Sequence, residues 1–514
     1  MNAHATTSLR LEPWLIGMLT FVLRAVSLFR PCLSDDEAIY AVVAREMLAG
    51  RTLYLGVVDH KPPLIYVVYA ITQAVGGPRG GMLLLHLLTI AVVWATALLL
   101  ARVVRQFADL PADSRAPLFA GLLYAVFTTT LLPFDALAAN CELFMMLPLV
   151  ASVLFFLQGA RDLRVRPLIA AGLLVGVAML FKYQAGVHLL LYFGALAITQ
   201  PRKLTRLLFG GLAIAVGVAA VLGTAVEIMD HLGCLDAAWF WFRFNFAYIK
   251  TGFGPMDTLK RASIRVSFVV LSAGFLWLLG LATAIRSIKP RGQRAGFLRF
   301  ASAWLLVSAL AVGTGGRFFG HYFHQLTGPL AVLAAPAAAR LWRVRRRWVV
   351  AAVTGPALAF LSVAIFQRPV LAAAGTADPS FGRLASVVGS YARPGDGLLV
   401  WGNLPVLYFA AELPLGTRFV FSNYMTGLSP ATPSQADPAV DASPNIVPES
   451  WDMFATDLAI RKPRVLVDTA PGNLAAYGKF PIRHFPRLQS IVDRDYHLAA
   501  ETDGMRVYLR KGAD

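Results

Sequence analysis

Residues 35–66 read DDEAIYAVVAREMLAGRTLYLGVVDHKPPLIY. Three consecutive acids, Asp35, Asp36 and Glu37, open the stretch, and a His60-Lys61 pair set against Pro62 and Pro63 closes it. Immediately upstream lies an apolar segment, Trp14 to Phe29, long enough to begin a membrane span. Charge placed directly beside such a segment belongs at a membrane surface, so the side on which this stretch lies sets the topology of the whole chain.

The composition supports a membrane protein. Of 514 residues, 57% are hydrophobic, and apolar runs of roughly 17 to 25 residues recur. Eleven segments read as spans: 13–30, 82–101, 117–133, 143–159, 167–181, 184–200, 207–226, 264–285, 298–314, 321–339 and 348–366. The net charge of +18 is not a nucleic-acid signature, because the basic residues sit in short clusters between apolar runs. Examples are Arg161, Arg164 and Arg166; Arg202, Lys203 and Arg206; Arg286, Lys289, Arg291 and Arg294; and Arg343, Arg345, Arg346 and Arg347. Clusters in alternate loops mark those loops as cytoplasmic. The N-terminus is then inside, and the chain beyond residue 367 is outside. Residues 31–80, Asn140–Glu142, Lys182, 227–262 and Gly313–His321 all fall on the outer face. Arg24 within the first segment, and no small-residue cleavage site after it, predict a retained span rather than a signal peptide. Pro31 before Cys32 argues against lipoprotein processing. Cys32, Cys141 and Cys234 form no metal motif, although Cys32 and Cys141 share the outer face, where a disulfide is chemically allowed.

Leu64 to Val75 is apolar but short, and counting it as a span would put every later arginine cluster outside. We read it as an interfacial or re-entrant helix. After about residue 370 short β-rich runs appear: 397–401, 418–422, 464–468 and 505–510, with a helical segment at Ser450 to Ile460. The fold class expected is an α-helical polytopic membrane protein with a small C-terminal α/β domain, divided as 1–368 and 369–514. Residues 427–449, rich in Pro, Ala and Ser, read as a loop or lid.

Each charged residue has a structural and a chemical reading. Ser34 and Glu37 match a capping box, with Asp35 and Asp36 in the favoured first turn. A cap needs one acid, so Asp36 is the acid read as reactive. Pro62 and Pro63 start a helix and aim Lys61 rigidly, which suits an anionic head group. Lys182, at the end of GLLVGVAMLFKYQAG (172–186), is a span anchor or a second phosphate ligand. Glu142 in NCELF (140–144) is a first-turn acid or a member of the centre. Arg317, His321, Tyr322 and Gln325 in GGRFFGHYFHQL (315–326) are an interface belt or part of the same site. The aromatic stretch 237–254, with Arg243 and Lys250, reads as an interfacial helix. No P-loop or dinucleotide fingerprint is present, so the phosphate implied outside the cytoplasm is a lipid phosphate.

In order, DDEAIYAVVAREML, HKPPLIY, GLLVGVAMLFKYQAG and HYFHQLTGPLAVLAA resemble the polyprenyl-phosphate-dependent glycosyltransferases of the GT-C fold. This is glycosyltransferase family 39, of protein O-mannosyltransferases and lipid A aminoarabinose transferases, and the resemblance covers residues 10–370. It implies inverting transfer of a sugar from a polyprenyl phosphate to a protein, lipid or cell-envelope glycan at the outer face of a bacterial-type inner (plasma) membrane. It implies that Asp36, with Glu37 beside it, is the catalytic carboxylate. Lys61, Lys182, Arg317, His321 and Tyr322 are implied to hold the donor phosphate. Many family members carry Glu where this chain has His60, and an Asp in the second outer loop where it has Glu142; a divalent metal would engage His60 and Glu142 if it binds at all. The reading from another class is a non-enzymatic lipid or glycan transporter, whose ionisable groups belong near the bilayer midplane rather than at the boundary.

Overall fold

The computed structural model describes residues 3–29, 32–131, 137–199, 204–289, 292–366, 379–393 and 395–512. The expected domain boundary at 368/369, Pro31, Arg202, Lys203 and Arg291 lie outside them. Most of the first 366 residues form thirteen helices among those described: α1 (Ala3–Arg24), α2 (Asp35–Leu48), α3 (Leu64–Phe107), α4 (Ala116–Thr129), α5 (Cys141–Ala160), α6 (Val165–Phe181), α7 (His188–Thr199), α8 (Leu204–His231), α9 (Leu235–Lys250), α10 (Pro255–Ser272), α11 (Gly274–Arg286), α12 (Gln293–Gly313) and α13 (His324–Phe366). Five described helices are long and apolar enough to cross a membrane, and α10 with α11 would make a sixth; three shorter apolar helices accompany them. The protein is a multi-pass membrane protein.

Breaks fall at three places, within α3, between α10 and α11 and within α13, and hydropathy hides only the second. The short apolar helix expected at 64–75 is the start of α3, which kinks at Gly77 (φ 69°) and Pro78. Only glycine adopts that φ without strain, and Pro78 cannot donate a helix bond. The segment expected to span at 264–285 is bent by 101° where α10 meets α11. The spans expected at 321–339 and 348–366 are joined in α13, interrupted at Arg345 within its basic cluster. Elsewhere helix contact is unusually close. A Cβ at Gly172 of α6 would come within 2.0 Å of the Ile214 carbonyl of α8, and one at Gly217 within 2.2 Å of the Ile169 carbonyl. Backbone-to-backbone packing of this kind is typical of helices in lipid, where small residues let dispersion act over a long contact.

The C-terminal region forms a four-stranded sheet in the order β1-β2-β4-β3. β1 (Leu398–Trp401) runs parallel to β2 (Val465–Asp468), while β4 (Met505–Arg510) is antiparallel to both β2 and β3 (Tyr496–Thr502). The helix at Ser450–Arg461 matches expectation. Residues 418–422 do not form a strand of this sheet. The Arg418 amide and guanidinium are held by Asp457, and Phe419 makes a single bridge to Val58. That bridge helps dock the domain onto the 35–66 stretch. Arg45 of α2 donates to the carbonyls of Tyr408 and Leu413, Glu46 accepts from the Leu415 amide, and Arg461 donates to the Gly56 carbonyl. Residues 427–449, expected as a loop or lid, pack Leu428 and Ala442 against Tyr477 and Phe480.

Candidate active site

α2 begins where expected. Ser34 Oγ accepts from the Glu37 amide at 3.2 Å, closing the cap. Glu37 departs from the reciprocal half of a capping box. Its carboxylate is fully buried and accepts from the Leu33 amide at 2.6 Å and the Ala139 amide at 2.5 Å. It ties α2 to the segment preceding α5, and both carboxylate oxygens are taken up by those amides.

Asp36 meets a different set of partners. Lys61 Nζ donates to Asp36 Oδ1 at 2.7 Å and to the Tyr40 hydroxyl at 2.6 Å. Tyr40 stands one helical turn after Asp36, on the same face of α2. Across the cleft, His321 Nε2 lies 3.7 Å from Asp36 Oδ2 and 3.9 Å from Glu142 Oε1. Glu142 in turn forms an ion pair with Lys182, whose ammonium sits 3.5 Å from the centroid of the Tyr322 ring. The result is an alternating row: Lys61, Asp36, His321, Glu142, Lys182. Asp36 and Lys61 each keep a quarter of their side chain exposed, whereas Glu142 is buried. The row therefore opens to solvent at the Asp36 end.

The electrostatics follow from this order. Burial works against the Asp36 charge, but Lys61 and then His321 hold its carboxyl below the ordinary range. Burial also works against the Lys61 charge, and Asp36 and Asp59 outweigh it, raising the ammonium pKa. Burial pushes the Tyr40 phenol well up, so it stays neutral and able to donate. Lys61 is aimed from behind: the Tyr54 hydroxyl donates to its carbonyl at 2.8 Å. Tyr54 also lines an apolar cavity of about 660 Å³ among Leu64, Leu173, Val221 and Ile228.

Two expected members stand elsewhere. Arg317 is buried, and its guanidinium donates to the carbonyls of Tyr248 and Pro430 and to the hydroxyls of Thr251 and Ser429. It stacks on Tyr248 at 3.7 Å and staples residues 429–430 to the end of α9, so those donors are not available for a phosphate. His60 turns to Asp59, with Nδ1 3.0 Å from Oδ1, and packs against Tyr248 and Phe244. Among the described residues no group of three or more His, Cys, Asp or Glu forms a metal-ligand set. His60 is not paired with Glu142, and lysines cap both Asp36 and Glu142 where a divalent ion would have to bind. The residues present do not fit the expected metal centre. Gln325 donates to the Tyr322 carbonyl at 3.5 Å. The cysteines are all free thiols, Cys141 bonding the Tyr40 hydroxyl at 3.4 Å and Cys32 the Ser34 carbonyl at 3.2 Å, so the disulfide considered for them does not form. Sequence reasoning missed Tyr40, although its spacing of four from Asp36 was a usable signal, and Asp59, which is buried and accepts from the Tyr66 hydroxyl at 2.7 Å.

Residues 60–224 match the family described as dolichyl-phosphate-mannose-protein mannosyltransferase. That segment contains Lys61, Glu142 and Lys182. No curated protein matches the chain by sequence. Among solved structures, ArnT from Cupriavidus metallidurans bound to undecaprenyl phosphate is similar over 99% of both chains, at 16% identity and a TM-score of 0.59. The archaeal oligosaccharyltransferase AglB from Archaeoglobus fulgidus, in complex with an inhibitory peptide and a dolichol-phosphate, is similar over 98% of this chain and 74% of that one, at 12% identity and a TM-score of 0.51. The Archaeoglobus fulgidus oligosaccharyltransferase with Zn and sulfate gives 14% identity and a TM-score of 0.50 over 97% of this chain and 73% of that one. The likeness is one of fold: the chain has the GT-C fold.

Proposed function

We propose that the protein is an inverting glycosyltransferase that moves a sugar from a polyprenyl phosphate to an acceptor hydroxyl or amine. The carrying observation is the alternating row from Lys61 to Lys182, with an ionised Asp36 at its open end. The family match over 60–224, and the lipid phosphates bound to the ArnT and AglB structures, support a lipid-linked donor.

The acceptor heteroatom attacks the anomeric carbon as the bond from that carbon to the phosphate oxygen breaks. The phosphate leaves with the electron pair, and the acceptor proton passes to Asp36. Lys61 has three ammonium protons and spends two on Asp36 and Tyr40, which leaves one for the departing phosphate. Lys182 supplies the second cation. The apolar cavity beside Tyr54 suits the isoprenoid chain. The ionisable groups sit at helix ends: Asp36 and Glu142 in first turns, Lys182 at a C-cap and His321 in the turn before α13. That arrangement supports an enzyme over a transporter. The loop charges support an extracytoplasmic reaction in a bacterial-type inner (plasma) membrane, with the N-terminus cytoplasmic, the C-terminal domain outside and domains divided at 368/369.

The test is sugar transfer from a synthetic polyprenyl-phosphate sugar to envelope acceptors by purified protein in nanodiscs. Transfer by wild type and its loss in a folded Asp36→Asn variant are expected. Full transfer by that variant would sink the assignment of Asp36.

A further inference from the structure

Helix α10 plays no part in the chemistry above, yet it carries a distinct cluster. On α10, residues 257, 260, 261, 265 and 268 recur at helical spacing and share one side. Lys260, Arg261, Arg265, Asp257, Phe253 and Phe268 line a cavity of about 400 Å³. That size lies within the roughly 300–1,000 Å³ usual for ligand sites.

The charges in this cavity are unbalanced. Three cations face one carboxylate, and among the described residues neither Lys260, Arg261 nor Arg265 forms an ion pair with Asp257 or any other acid. Arg261 spends Nε on the Arg317 carbonyl at 2.7 Å and lies 5.4 Å from the Phe253 ring centroid. It has Arg265 and Arg317 as like-charged neighbours. Like charges crowded into a concave site are relieved by an anion, and guanidinium groups match the oxygens of a phosphate. The ordinary alternative is a solvated basic face. Against it, the same helix exposes Met256 (76%), Leu259 (61%) and Leu271 (79%), which places it in contact with lipid. A lipid phosphate brings acyl chains that can cover those side chains, which a free anion does not.

We propose that the α10 cavity binds the phosphate head group of a membrane lipid, at a site separate from the Asp36 centre. The apolar part of that lipid lies along the exposed side chains of α10, and the cavity between Phe253 and Phe268 provides the recess for the head group. Through the bond from Arg261 to the Arg317 carbonyl, the bound phosphate abuts the staple that holds residues 429–430.

The experiment is native mass spectrometry of the full chain in neutral detergent with added dioleoylphosphatidic acid, together with melting curves at matched concentrations of that lipid or of inorganic phosphate. Wild type should retain the lipid and melt later with it, and inorganic phosphate should give no such protection. The Lys260→Gln/Arg265→Gln double variant should bind at least about tenfold more weakly, as removal of charge-assisted bonds requires. Its melting temperature without lipid reports whether it folds. Asp257→Asn removes the one acid that lines the cavity among the described residues and should tighten retention, a gain that misfolding cannot mimic. Equal retention by wild type and the double variant, no gain in Asp257→Asn, or equal protection by inorganic phosphate would each overturn the proposal. The readout is binding, so it stands or falls independently of sugar transfer.

Discussion

Lys61 Nζ reaches Asp36 Oδ1 at 2.7 Å across 25 residues of chain, and the same ammonium donates to Tyr40. One cation thus serves the carboxylate that would take the proton and faces the space where a leaving phosphate would develop charge. Replacing Lys61 with Gln should lower turnover by about 10²–10³-fold, the range for loss of one preorganised charge-stabilising donor. Lys61→Arg should recover only part of it, because a planar fork cannot reproduce the ammonium's two bonds. Steady-state kinetics with a lipid-linked donor would check both.

The depressed Asp36 carboxyl makes a prediction about pH. A carboxyl whose pKa is lower folded than unfolded stabilises above the unfolded value, about 3.9 for Asp, and loses that contribution as pH falls through the native value. The melting-temperature difference between wild type and Asp36→Asn should stay level down to about pH 5 and shrink below about pH 4. A difference that collapses near pH 6 would contradict the ion pair.

Glu37 should act on stability, not chemistry. Glu37→Ala strands the buried amide of Ala139 without its acceptor, at about 1–3 kcal/mol, and the part-buried amide of Leu33 at less. The variant should unfold at lower temperature while the folded fraction keeps its turnover. Paired melting and activity measurements separate the two effects.

Arg317 should govern the 427–449 segment. Arg317→Met removes the donors that reach Pro430 and Ser429, so limited proteolysis should cut within this segment faster than in wild type. The Michaelis constant for the donor should move little, since the guanidinium is already occupied. A large donor effect would return Arg317 to the phosphate site.

These outcomes mark how far the sequence could be read. Asp36, Lys61, Glu142, Lys182, His321 and Tyr322 were legible because loop charge put them on one face, and the structure brings them together. Arg317 and His60 take partners that the sequence does not display, for one reason. Their charge and position are visible in the sequence, whereas the carbonyls, hydroxyls and Asp59 contact that engage them come from the folded chain. The 101° break at α10–α11 was hidden because hydropathy averages over a bend. The strand at 496–502 was missed because YHLAAET lacks the β-branched alternation that marks a half-buried strand. Residues 418–422 have that composition, but Asp457 holds Arg418 and the bridge that Phe419 makes runs to Val58, outside the sheet.

The glycine contact between α6 and α8 has a bearing on the site that distance conceals. Lys182 caps α6 ten residues after Gly172, about 15 Å along the helix axis. With backbone resting on backbone at Gly172 and Gly217, α6 works as a strut seated on a bare bearing, with no side chain between to absorb a change. A methyl group added at that seat would tilt the strut and lift the Lys182 ammonium from Glu142. A lesion in the lipid-buried middle of the protein would then show the kinetics of a damaged phosphate site.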